Sequence, residues 1–142
     1  MRLCVGPIAT TLMTENEISK VVVDLSVKIH RALGPGLFES VYQRVLAYEL
    51  RKTGLKVESE VPVPLEWDGH VLEESFRADL IVEGKVLLEL KSLEQILPVH
   101  KKQVLTYLRL LDLRLGLLLN FGSGLMRDGI SRIANNLPEE NE

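Results

Sequence analysis

The chain has 142 residues, 46% hydrophobic and 26% charged, with a formal net charge of −3. That suffices for one globular domain with a real core, and no apolar run approaches the ~20 residues that span a bilayer. The single cysteine, Cys4, excludes an internal disulfide and a cysteine-based zinc site, as suits a reducing cytoplasm, and the slight negative charge argues against avid, non-specific nucleic-acid binding.

Residues 1–13 carry one charge, Arg2, and an apolar stretch broken by Gly6-Pro7, a poor secretory signal and a loosely ordered lead-in. Met13 is an alternative start, because the folding signals begin just after it. Thr14-Glu15-Asn16-Glu17 is a capping box. The helix it opens places Ile18, Val21, Val22, Leu25, Ile29 and Leu33 on one buried face, and Gly34-Pro35-Gly36 stops it. A second helix starts near Leu37, buries Val41, Tyr42, Val45 and Leu46, and ends at Gly54. The tight linker makes the two helices neighbours.

Leu55 to Glu66 has strand character, with Pro62 and Pro64 making it an edge strand or partly irregular. Trp67-Asp68-Gly69-His70 is a hairpin turn. Val71–Val82 is the second strand and Val86–Lys91 the third, joined by Glu83-Gly84 as a two-residue connection. Pro98 opens a helix to about Leu111. Leu115–Phe121 is an apolar run suited to a strand buried on both faces, and the crossover makes it parallel to the third strand. Gly122–Gly124 is a loop, Ile130–Leu137 offers a short extra edge strand, and 138–142 is a polar tail. The expected fold is α/β: a mixed four-stranded sheet flanked by helices, in the order α-α-β-β-β-α-β, over residues 14–137.

Side chains on a strand alternate faces. Arg77, Asp79 and Ile81 share one face, and Phe76, Ala78, Leu80 and Val82 the other. Glu89 and Lys91 share a face, with Leu88 and Leu90 opposite. If the polar faces coincide, two carboxylates and an ammonium converge, a set that suits Mg²⁺ beside a phosphate. The simpler reading is a solvated strand face carrying a same-face ion pair. His100, Gln103 and Tyr107 form one stripe on the following helix, which reads either as a reach toward a bound phosphate or as a core margin. Glu39, in the first turn of the second helix, either complements the helix dipole or adds a carboxylate. Charge is uneven as well: Lys56 to Glu94 holds ten acidic residues against four basic, while Leu97 to Leu115 holds Lys101, Lys102, Arg109 and Arg114 against Asp112 alone.

Asp79 followed by Glu89-Leu90-Lys91, after a helix bearing Glu39, resembles the PD-(D/E)XK nuclease superfamily. Gln103-Val104-Leu105-Thr106-Tyr107 is similar to the QxxxY motif of its RecB-like branch. Gly36-Leu37-Phe38-Glu39-Ser40-Val41-Tyr42 resembles the signature of the GxxExxY proteins. The resemblance runs from Glu17 to Leu137, with Ala78 standing where a proline often precedes the aspartate. It implies a DNA nuclease using Mg²⁺ or Mn²⁺, held by Asp79, Glu89, Glu39 and the backbone carbonyl of Leu90. Lys91 would position the attacking water, and Gln103 and Tyr107 would orient substrate or buttress the site. Tyr42, His100, Lys101 and Lys102 join Gln103 and Tyr107 as expected substrate contacts. RNA is the alternative substrate, and a nuclease-like binding or protein-interaction module the alternative function. A homodimer is admitted; a membrane is not.

Overall fold

The computed structural model describes residues 12–72 and 76–139. Most of the expected lead-in, Cys4 included, and the end of the tail lie outside the described residues.

Helix α1 (Glu15–Leu33) opens on the predicted capping box. The Thr14 hydroxyl accepts from the Glu17 amide at 3.1 Å, and the Glu17 carboxylate accepts from the Thr14 amide at 2.9 Å. Ile18, Val22 and Ile29 are buried, whereas Leu33, expected on the same stripe, is exposed because the helix ends there. Gly34 turns the chain away at φ 73°, a left-handed conformation that glycine adopts without a steric penalty. Helix α2 (Glu39–Lys52) begins two residues later than expected and buries Tyr42, Leu46 and Leu50, while Val41 faces out. Glu49 joins the two helices, taking Lys28 of α1 at 2.7 Å and Lys52 at 3.0 Å.

The sheet has five strands in the order β1 (Val57–Pro62), β4 (Arg77–Val82), β5 (Val86–Lys91), β6 (Leu115–Asn120), β7 (Ile130–Ala134). The β5–β6 pair is parallel, as the crossover through α3 (Pro98–Leu111) requires, and the other pairs are antiparallel. The expected extra strand is therefore β7, paired along β6. Helices α1 and α2 cover one face with Leu80, Val82, Leu88, Leu90, Leu117 and Leu119 beneath them. Helix α3 covers the other, over Ile81, Leu87 and Leu118. It approaches closely because β6 carries Gly116, where a Cβ would stand 2.7 Å from the Val104 side chain.

Three expectations need correction. The first two predicted strands are each divided: β2 (Leu65–Trp67) and β3 (His70–Leu72) form a separate two-stranded hairpin, and only β1 and β4 enter the main sheet. Pro62 and Pro64 lack the amide protons that would carry the ladder onward. The β4–β5 connection has three residues, because Val82 pairs with Val86 and leaves Glu83, Gly84 and Lys85 between them. Finally, strand alternation breaks midway along β4. Ala78 packs in the α3 layer, while Leu80 packs under α1 and α2. The same switch occurs on β1, where Val57 lies in the α1–α2 layer and Val61 in the α3 layer. Between them Glu60 holds φ 52°, and a left-handed residue reverses the alternation of an extended strand.

Candidate active site

The three-residue connection decides the geometry of the predicted constellation. Its register pairs Leu80 with Leu88 and Ile81 with Leu87, so the next position along is Asp79 against Glu89. A connection one residue shorter would have set Asp79 opposite Leu88 and sent the two carboxylates to opposite faces.

The regular ladder stops at Leu80–Leu88, and side chains take over where it ends. The Asp79 amide donates to Glu89 Oε1 at 3.0 Å, and the Leu90 amide donates to Asp79 Oδ2 at 2.8 Å. Each strand thus holds the other's carboxylate, which fixes both acids on rigid backbone. Glu89 is only 4% exposed and Asp79 is half-buried.

Burial outweighs the positive charge near this pair. Removal from water pushes the Glu89 carboxyl up to about 8, and the neighbouring Asp79 charge pushes the same way. Burial likewise raises Asp79 to about 6, against the lowering effect of the Leu90 amide, with Glu60 and Glu39 adding repulsion. Lys91 lowers both, so its ammonium lies within electrostatic reach. Tyr107 of α3 is buried, with its ring tilted on Phe76 at 5.8 Å. Its hydroxyl is raised by burial first, and then by the charges on Glu89 and Asp79.

Other predicted residues sit differently. Glu39 is exposed at the start of α2 and acts on Asp79 only through its charge. Gln103 is half-buried one turn before Tyr107, with no hydrogen bond among the described residues. His100 spends Nδ1 on the Leu97 amide at 2.9 Å, which caps α3. Lys101 and Lys102 are exposed, and Lys101 lines a polar cleft with Glu94, Asn120 and Asp128.

Tyr42 corrects the expectation of a substrate contact. It is fully buried and stacked on Phe121 at 4.5 Å. Its hydroxyl accepts from the amides of Gly36 and Leu37, each at 3.1 Å, and donates to the carbonyl of Gly34. The glycine and tyrosine of the Gly36–Tyr42 segment therefore grip each other across the helix start and set Glu39 in its first turn.

A model of the PD-(D/E)XK nuclease superfamily matches residues 16–133, spanning both carboxylates, Lys91 and Tyr107. The chain belongs to the PD-(D/E)XK nuclease superfamily. Membership implies a nuclease, hence a hydrolase with a nucleic-acid substrate, and nucleases of the superfamily generally use divalent metal ions. No curated protein matches the chain. Among solved structures, the crystal structure of SSO0001 is 20% identical, over 87% of this chain and 79% of that one, with a TM-score of 0.40. Among the described residues no helix is long and apolar enough to cross a membrane.

This PD-(D/E)XK chain fits a divalent cation of the kind that keeps most of its water. Among the described residues no three His, Cys, Asp or Glu side chains gather to enclose an ion. A hydrated divalent cation needs only one or two carboxylates, with water and substrate oxygens filling the remaining positions, and Asp79 and Glu89 could supply such a pair.

Three residues escaped the sequence reading. Glu60 repels both acids, and its left-handed φ in a β-rich stretch has no sequence signature. Gln43 of α2 donates to Glu60 Oε1 at 2.9 Å and to the Asp79 carbonyl at 3.2 Å, tying helix to site. Asn120 is buried at the end of β6, accepting from the Leu93 amide and donating to its carbonyl, both at 2.9 Å. It holds the chain just beyond Lys91. A polar residue closing the apolar run from Leu115 was its available signal.

Proposed function

We propose that this protein is a deoxyribonuclease that hydrolyses phosphodiester bonds with Mg²⁺ or Mn²⁺ held by Asp79 and Glu89. The reciprocal hold of the two carboxylates on each other's strands carries the reading, because it fixes one buried and one half-buried acid side by side on rigid backbone. The Leu90 side chain lies in the α1–α2 core, so its contribution would be the backbone carbonyl. Bound there, the cation would supply Lewis-acid stabilisation of the phosphoryl oxygens and a more acidic water.

The chain's own groups would do the rest. Lys91 would hold the attacking water in line and offset charge that develops on the phosphate. Tyr107 and Gln103 would bound the α3 side and orient the substrate backbone, and Glu39 would face it from α2. The Gly36–Glu39–Tyr42 spacing supports a place among the GxxExxY proteins, and Gln103 with Tyr107 supports a RecB-like affinity. The buried carboxylates favour this reading over a binding module, which has no use for an uncompensated acidic pair.

The test is cleavage of labelled single- and double-stranded DNA with Mn²⁺, comparing wild type with Lys91→Ala. The variant should lose about 10²–10³-fold in turnover while folding normally and still binding Mn²⁺ by calorimetry. Equal activity in both proteins would place the cleavage elsewhere. No cleavage by either, with DNA still bound, would favour the binding-module alternative.

A further inference from the structure

Between α2 and β1 runs a groove of about 410 Å³, lined by Ser40, Gln43, Arg44, Arg51, Ser59 and Glu60 over a floor at Ala47. The helical members fall at positions 40, 43, 44, 47 and 51, which is one face of α2. One end of the groove lies next to the carboxylate site, since Gln43 bonds both Glu60 and the Asp79 backbone carbonyl. From there it leads away along the helix, past Arg44 to Arg51.

The groove presents donors. Its carboxylate, Glu60, already accepts from Gln43. Ser40 and Ser59 offer hydroxyls, and among the described residues neither arginine has a carboxylate partner. The neighbouring lysines differ: Lys28 and Lys52 share Glu49, and Lys56 lies beside Glu58. Arg51 is anchored, with Nη2 on the Val57 carbonyl at 2.9 Å and on the Ser59 hydroxyl at 3.3 Å, and its other nitrogens make no bond within the described residues. Arg44 is exposed and makes no bond there at all. Seven helical residues separate the two guanidinium positions by about 10 Å along the axis, a spacing that suits separate phosphates of one extended strand. Planar, always-charged guanidinium groups favour phosphate oxygens.

We propose that this groove is the path along which a nucleic-acid strand enters the carboxylate site, its phosphates held by Arg44 and Arg51. The proposal rests on the nuclease reading for its direction, and it places substrate along α2 rather than on the lysines of α3. Two guanidinium groups beside the acidic site offer local attraction to phosphate although the chain as a whole carries a charge of −3.

The experiment is fluorescence anisotropy of the full chain with labelled oligonucleotides in EDTA, over a range of salt concentrations. Arg44→Ala is the clean variant, since Arg44 makes no bond that the fold needs. It should weaken binding several-fold whatever the sequence and make the slope of log K against log salt shallower by about 0.7–0.9, one phosphate contact. Arg44→Glu should weaken it further. Arg51→Gln should act like Arg44→Ala, once thermal denaturation shows that it is folded. Unchanged affinity and slope in both Arg44 variants, with loss in Lys101→Ala/Lys102→Ala, would overturn the proposal and move the path to α3. Cleavage is read separately with Mn²⁺. Arg44-dependent binding without cleavage keeps the groove and removes the nuclease reading. Cleavage indifferent to Arg44 does the reverse, and absence of binding at low salt removes the groove.

Discussion

Glu49 and Glu89 are the same residue type at nearly the same exposure, 9% and 4%, yet their surroundings are opposite. Glu49 sits where α1 meets α2 and receives two lysines. Its hydrogen bonds to Lys28 and then Lys52 hold its carboxyl below the usual range. Glu89 sits where β4 and β5 part, receives one backbone amide, faces Asp79, and is driven upward by burial. One region has met its charge requirement within the chain. The other has been left unmet on rigid strands, and perturbed groups of that kind cluster at functional sites. Exposure alone therefore says little about a buried acid; its partners decide whether it serves the fold or the chemistry.

Neutralising each acid should break the comparison most visibly. Glu89→Gln should reduce cleavage by about 10²–10³-fold and yet raise metal-free stability at pH 8, on the order of 1–3 kcal/mol. Chemical denaturation in EDTA beside a cleavage assay would show both. A destabilised Glu89→Gln protein would mean that the carboxylate serves the fold.

The two regions should also respond to pH with opposite signs. The folded pKa values of Asp79 and Glu89 lie above their ordinary 3.8 and 4.5, at about 6 and about 8. Such groups contribute stability that is fully present below the unfolded pKa and lost as pH rises through the folded one. Metal-free protein should therefore weaken from pH 5 to pH 8.5. Saturating Mn²⁺ should remove that loss and add stability, about 2.7 kcal/mol at a hundred times Kd. Denaturation midpoints across that range, with EDTA or Mn²⁺, check both. A flat metal-free profile, or one unaffected by Mn²⁺, would count against the site.

Glu49→Gln should have the smallest effect. Its lowered pKa contributes stability present above 4.5 and lost as pH falls through the folded value. The variant should be slightly less stable at neutral pH, indistinguishable from wild type in strong acid, and unchanged in cleavage. Thermal melts at two pH values suffice.

The local signals were legible along the chain. A hydroxyl and a glutamate at the right spacing made the α1 cap, Pro98 opened α3, and a crossover between apolar runs made β5 and β6 parallel. Asp79, Glu89, Lys91 and Tyr107 were legible as candidates through their resemblance to the superfamily's motifs, whereas strand alternation alone left a solvated face as the simpler reading. Their arrangement was settled by long-range pairing. Whether Asp79 meets Glu89 depends on one residue in the Glu83–Lys85 connection, and period-two counting within each strand cannot show the register between strands. Glu60 and Gln43 reached the site because a left-handed turn in β1 and the seat of α2 against the sheet brought them there. Tyr42 left it because the Gly34–Leu37 backbone needed its hydroxyl. Sequence reads the chemistry that each residue carries and the element it sits on; which unlike charges meet, and which stay unpaired, is decided only when distant segments compete for the same buried space.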